Sequence, residues 1–466
     1  MRGPYRLRSG VLVSVVVVPL IGFTSVAAAT SPSAQGRSDL IAGNHADAAP
    51  AAAHAGGPAD GPRGGPAPAH AGPTDASSNG WPTHCLDRVP RSPADYQEVF
   101  DHRTDGWAGA DGAGPIKLPD GRVLWMFGDT LAGQVDENNA LRPGWNMPHN
   151  SFQLQDGRCF TPLIGGTQDN PSSYMPDEDG MVFWPAGGYV DQSVEPAVLR
   201  MVSTGICIEP DGWRACEMRV HTMSLPDLEV MSVDPVPFDA TVPDMPAFGF
   251  WVFHDKGMVY LYGPGGGFQA GGPSEDGQYP PGIYLARVRA ERLVDGPWEY
   301  WTGSGPKPWS RDVGKADALS FDEPANPRDL SIGGVVRWGA GYLLTGKMGY
   351  LWVFGTEVYG WYSESPAGPW KVVRVDGEPA DLVPEDVSFP QGRWIYGGFL
   401  VTNVPGTSPR KPMVVFSTNG LGCDGEEFPC TPDNDIGLNV LLYGPHLYTP
   451  RNLPPWTGPK ATEDDS

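Results

Sequence analysis

The chain has 466 residues, a formal net charge of −23, and 62 glycines, 51 prolines and 16 tryptophans. Nucleic acids and anionic membrane surfaces are bound through clustered Lys and Arg; no such cluster follows the first 29 residues, so neither partner is expected and a neutral polymer fits better. No G-x-S-x-G elbow precedes a helix, no His pair has metal-ligand spacing, and the runs PGGG and AGGP lack the strand-to-helix setting of a phosphate loop, so no metal and no cofactor is expected.

The N-terminal segment carries Arg2, Arg6 and Arg8, then an apolar run from Val11 to Phe23, then Ala27-Ala28-Ala29. A basic start, a short apolar core and an A-x-A ending describe a secretory signal peptide over residues 1–29, cut after Ala29. The run is shorter than the roughly 20 residues of a membrane-spanning helix. No cysteine sits near the cut to carry a lipid. Residues 30–80 are dominated by Ala, Gly, Pro and Ser; with so little apolar surface to bury, they cannot offset their ordering entropy and read as a disordered linker. The expected product is a secreted, monomeric protein, extracellular or cell-wall associated. Its folded domain spans 81–457, and a disordered tail spans 458–466.

Six cysteines in an exported chain favour disulfides over metal ligation. A two-residue Asp211-Gly212 turn would set Cys207 opposite Cys216 across a hairpin. Cys423 and Cys430 close the loop CDGEEFPC. Elimination then pairs Cys85 with Cys159.

From Trp81 onward, short alternating apolar runs lie between Gly, Pro, Asn and Asp, which reads as an all-β domain. An inner-strand pattern recurs five times: VLWMFGD from Val123, LRMVSTG from Leu199, MVYLYGPG from Met258, GYLLTGKMG from Gly341 and GGFLVTNVPG from Gly397. Each is followed by an outer pair of strands, so two patterns count to five and predict a five-bladed β-propeller. A β-sandwich is the alternative.

Chemistry concentrates in the first unit. Pro119-Asp120-Gly121 is a turn signal between IKL and RVLWMF, and a three-residue loop pairs Leu118 with Arg122. Counting outward sets Asp111 opposite Asp129. Directly opposed residues share a face with Cβ atoms about 4.5–5.5 Å apart. Carboxylates that close repel in their ionised forms, which lets one act as acid and the other as base or nucleophile in glycoside cleavage. The alternative is that Asp111 caps a turn and Asp129 hydrogen-bonds backbone at a strand end. His149 and Asn150, in WNMPHNSF, are candidate substrate contacts, and Trp107 and Trp184 are candidate sugar-stacking platforms. Trp298 and Trp370 recur at equivalent positions and are expected in the core. Glu195 and Asp329 are weaker candidates for a third acidic group, while Asp255 and Glu364 are expected to be solvated turn residues.

The combination of W-x-G-A-D-G-A, L-P-D-G-R, F-G-D-T and H-N-S, with Y-S-E-S-P-A-G-P-W and a strand before L-Y-T-P-R, resembles a family of exported actinobacterial five-bladed propellers. That family was long a domain of unknown function and includes endo-D-arabinanases. S-P-x-G-P-W is similar, more distantly, to an element of propeller arabinanases and xylosidases. The resemblance implies that Asp111 and Asp129 are a catalytic pair and that His149 and Asn150 contact substrate. The chain departs from the family pattern in the insert GPGGGFQAGGPSEDGQYPPG and in the closing strand LNVLLYGP. The expected function is therefore a glycoside hydrolase acting on a furanose-containing polysaccharide, foremost cell-wall arabinan. The alternatives are a non-catalytic glycan-binding propeller and a hydrolase of fructan, xylan or L-arabinan.

Overall fold

Alternating apolar and small or polar residues between tight turns build 25 short strands among the described residues. The computed structural model describes residues 80–456 apart from 104–105, 179, 210–211, 238–244, 268–278, 304, 324–329, 349–356, 384–392, 421–430 and 433–434. The expected signal peptide and tail, the linker short of its last residue, Cys423, Cys430 and Asp329 lie outside the described residues.

The first sheet combines β1 (His84–Cys85), β2 (Trp107–Lys117), β3 (Val123–Ala132), β4 (Ser151–Asp156) and β5 (Cys159–Leu163), in the order β1-β5-β4-β3-β2. A small hairpin, β6 (Gly165–Thr167) and β7 (Asn170–Ser172), leads to the second sheet: β8 (Met181–Asp191), β9 (Val198–Glu209), β10 (Gly212–Met223) and β11 (Val230–Pro235). The third holds β12 (Trp251–Asp255), β13 (Met258–Pro264), β14 (Ile283–Arg289), β15 (Glu299–Trp301) and β16 (Trp309–Ser310). The fourth holds β17 (Leu330–Trp338), β18 (Gly341–Met348), β19 (Val358–Ser363) and β20 (Lys371–Val372), followed by a hairpin of β21 (Arg374–Val375) and β22 (Glu378–Pro379). The fifth holds β23 (Arg393–Val401), β24 (Met413–Gly420) and β25 (Gly444–Tyr448).

These sheets are the blades of a five-bladed propeller, and apolar side chains fill all five junctions. Ile116, Leu124 and Phe152 of the first blade meet Phe183, Leu199 and Met201 of the second. Tyr189 and Val202 pack on Val259 and Leu261. Leu285 packs on Leu344 and Trp361, and Leu343 and Val358 pack on Leu400 and Phe416. The ring closes where Trp125 and Phe127 join Val401, Met413 and Val415. Trp298 and Trp370 are buried, as expected.

One helix, α1 (Pro93–Phe100), completes the closure. Ser92 caps it by accepting from Asp95 N–H at 3.2 Å, and Pro93 occupies the first turn, where no donor is lost. Tyr96, Val99 and Phe100 share one buried face. Tyr96 and Phe100 lie against Trp125 of the first blade. On the same helix Gln97 donates to Pro445 O and accepts from Leu447 N–H of the fifth.

The repeat count was right, but its assignment to layers needs correction. Neighbouring blades meet along β2, β8, β12, β17 and β23, the innermost strands. The segments from Val123, Leu199, Met258 and Gly341 are the second strands, while that from Gly397 falls in innermost β23. The true fifth counterpart is β24, MVVFSTNG. Second strands are buried on both faces and so read as the most apolar runs.

Both described disulfides match expectation: Cys85–Cys159 ties β1 to β5, and Cys207–Cys216 links β9 to β10. The second has a different register from the one expected. Gly212 pairs with Glu209 and Arg214 with Cys207, two positions short of setting Cys207 opposite Cys216. A bulge between Ala215 and Glu217 then displaces Cys216, leaving the two Cα atoms 5.8 Å apart.

Candidate active site

The hairpin of β2 and β3 starts as its turn chemistry dictates. Leu118 N–H donates to Arg122 O at 2.8 Å, and Lys117 pairs with Val123, continuing to Gly114 with Met126. Beyond that the ladder is irregular: Gly112 pairs with Phe127, and Ala110 with Thr130. Asp111 therefore falls across from both Gly128 and Asp129 rather than opposite a single residue. Bulges re-aim side chains and recur beside active sites. Gly112 and Ala113 both take positive φ, 89° and 100°, a region that a residue with a Cβ occupies only when its surroundings enforce it.

The backbone here is clamped from the fifth blade. Ser417 Oγ accepts from Gly112 N–H and donates to Gly112 O, both at 2.9 Å. Asp111 is thereby held with its carboxylate over Gly128, where a Cβ would come within 2.4 Å of Asp111 Oδ1. This close approach is the reason for glycine in the F-G-D-T element. Asp111 thus stands across from Gly128 and Asp129 through a bulge rather than by straight pairing.

Asp129 Oδ1 accepts from Trp184 Nε1 at 2.9 Å and lies 3.0 Å from His149 Nδ1. Both acid and imidazole remain partly open, with side-chain exposures of 25% and 30%. Burial by itself would lower the His149 pKa. The hydrogen bond to Asp129, the charge of Asp129 and the charge of Asp177 outweigh it, and the net shift is upward. Tyr443 Oη donates to Asp129 O at 2.8 Å, and buried Arg103 Nη1 donates to the carbonyls of Ala108, Val440 and Tyr443. One guanidinium thus binds the start of β2 to the segment that holds Asp129 from behind.

Asp177 joins this group from the loop before β8. His149 N–H donates to Ser173 Oγ at 2.9 Å, and Ser173 Oγ donates to Asp177 Oδ2 at 2.7 Å. Partial burial raises the Asp177 pKa, with the Asp129 charge adding; the Ser173 hydrogen bond, the His149 charge and the backbone of Phe183 oppose it. Neither Asp177 nor Ser173 stood out in the sequence, because nothing local marks a PDED turn as facing another blade. Tyr443 and Ser417 are equally invisible in one dimension, lying more than 300 positions from their partners.

Two expected contacts need correction. Asn150 is fully buried: its Nδ2 donates to the carbonyls of Met175 and Phe183, and its Oδ1 accepts from Met175 N–H. An amide so committed positions the 173–183 segment and does not face a ligand. Trp107 is only 2% exposed and packs on Phe100 and Phe127, so it is core and not a platform. Trp184 does face the site. Glu195 is exposed beyond the end of β8 distant from Trp184, and Asp255 is engaged by Tyr342 and Arg337 at the β12–β13 turn. Neither approaches the pair. Glu364 is an exposed turn residue.

No curated protein matches the chain. Among solved structures, a Bacteroides ovatus protein whose assignment as a hydrolase is provisional is similar over 80% of this chain and 94% of its own, with a TM-score of 0.57 at 18% identity. A family 43 arabinoxylan arabinofuranohydrolase from Bacillus subtilis aligns over 77% of this chain and 69% of its own, with a TM-score of 0.40 at 14% identity. An α-L-arabinanase mutant from Cellvibrio cellulosa aligns over 73% and 92%, with a TM-score of 0.38 at 12% identity. At these identities the likeness is one of fold. Residues 94–404 match the family described as Domain of unknown function (DUF5005), and the chain belongs to that family.

Proposed function

We propose that the protein is a secreted glycoside hydrolase acting on a neutral, furanose-containing polysaccharide, foremost endo-cleavage of arabinan of the actinobacterial cell wall. The reading is supported by the placement of Asp111 across from Gly128 and Asp129, with the Asp129 carboxylate bonded to His149 and Trp184. Glycoside cleavage needs a proton delivered to the leaving oxygen and a carboxylate acting on the anomeric centre. Asp129, aimed by His149 and Trp184, is the base or nucleophile, and Asp111, held over Gly128 by the Ser417 clamp, is the acid. His149 and Trp184 also border the space a sugar would enter. The net charge of −23 is compatible with a neutral glycan and opposes an anionic one.

Purified arabinans incubated with the protein, and assayed for released oligosaccharides and reducing ends, test this. Asp111→Asn and Asp129→Asn should each reduce release by a factor on the order of 10² or more, the usual contribution of a positioned acid or base. Full activity in both variants removes the proposal. Retained polysaccharide binding without any release by the unmodified protein would make it a glycan-binding propeller instead.

A further inference from the structure

The hairpin joining β9 to β10 carries a tryptophan that the mechanism above does not use. Trp213 pairs with Ile208 across the hairpin, one step outward from the Arg214 and Cys207 pair. The Cys207–Cys216 disulfide and the Arg214–Glu209 ion pair, 2.6 Å apart, brace its two strands. Ile208 N–H donates to Gly180 O at 3.1 Å, which ties the hairpin to the loop bearing Asp177. A hairpin fixed at three points presents its side chains with little ordering entropy left to lose.

Trp213 packs edge-on against Trp184, with ring centroids 5.3 Å apart and planes at 70°. Trp184 is itself oriented by its Nε1–H donation to Asp129 Oδ1. With Ile208 and Phe250, the two indoles form a partly exposed apolar surface over buried Val182, Ile206, Ala215 and Ala247. Partly exposed tryptophans beside a carboxylate cluster suit a ligand with apolar faces and polar edges, the character of a sugar ring. The patch is continuous with Asp129, so its occupant is the same chain that reaches the aspartates.

We propose that Trp213 and Trp184 form an aromatic platform that binds the sugar units next to the cleaved linkage, making the site selective for a chain over a single glycoside. The identity of the occupant rests on the hydrolase reading; the binding itself is measurable without turnover.

Calorimetric titration of Asp111→Asn protein with oligosaccharides from arabinan, arabinoxylan and galactan is the test, repeated with Trp213→Ala and Trp213→Phe added. For the bound oligosaccharide, the Ala variant should weaken Kd by at least about tenfold, as expected for truncating an aromatic anchor, while Phe stays within about threefold. Oligosaccharide addition should also shift the tryptophan emission of the Asp111→Asn protein, and Trp213→Phe should clearly reduce that shift, leaving the part contributed by Trp184. This second readout decides the matter should the Ala variant misfold. Binding to none of the three sets, a Kd indifferent to Trp213→Ala in folded protein, or an emission change undiminished by Trp213→Phe overturns the platform. Trp213-dependent binding by unmodified protein that releases no oligosaccharide would leave the platform standing and remove the hydrolase; release of oligosaccharides with Trp213-independent binding does the reverse.

Discussion

Replacing Gly128 with alanine isolates the geometry of the acid from the stability of the fold. The added Cβ would lie 2.4 Å from Asp111 Oδ1, against the 3.4 Å at which ordinary contact begins, so one atom must retreat by about 1 Å. Gly128 is not among the residues with positive φ, so alanine fits the main chain. The Asp111 carboxylate, the end of a side chain, is what moves. A misplacement near 1 Å in a catalytic group costs about a hundredfold in rate, close to 3 kcal/mol of barrier. The cost in stability should stay under about 1 kcal/mol, because a rotation of one partly exposed side chain relieves the contact. Reducing-end release on arabinan, compared with the urea midpoint of the same preparation, measures both. Undiminished activity in a folded Gly128→Ala variant would refute the placement of Asp111, and a collapse in stability would refute the reading that its carboxylate is what moves.

Ser417→Ala removes both hydrogen bonds to Gly112 across the junction of the first and fifth blades; we expect about 1–3 kcal/mol of destabilisation and a lower kcat, read by urea melts and initial rates. His221, fully buried with Nε2 unpartnered, has its pKa lowered to about 4, by burial first and by the charge of Arg219 second. The unfolded chain therefore binds the extra proton between pH 6.5 and pH 4 while the folded one does not. Stability should fall by about 3 kcal/mol as pH drops through that window, and His221→Phe should flatten this part of the urea-midpoint profile. His149 has the opposite sign: its raised pKa contributes stability below the unfolded value, lost as pH rises through the folded one. Asp129→Asn should lower the His149 pKa, visible as an upfield-titrating imidazole resonance whose midpoint moves to lower pH.

Five blades could be counted from sequence because a strand's alternation and its bounding turns are local properties, repeated whenever the same supersecondary unit recurs. For the same reason the Asp120-Gly121 bend and the Cys207–Cys216 link were legible, while the Cys85–Cys159 link followed only by elimination. Layer order was not: the second strand of each blade is the more apolar, so it passed for the inner one, and the fifth repeat slipped to β23. The bulge at Asp111 was hidden as well, since it depends on Ser417 pinning Gly112 from a blade some 300 positions away. Which tryptophans face a ligand is likewise a matter of packing between blades, which buries Trp107 beneath Phe100 and leaves Trp184 and Trp213 partly open. Residue type and spacing thus carried the units and their turns. The choice between a core side chain and a site side chain was made only when five separately encoded sheets closed on one another, because exposure is a property of the assembled ring and not of any strand within it.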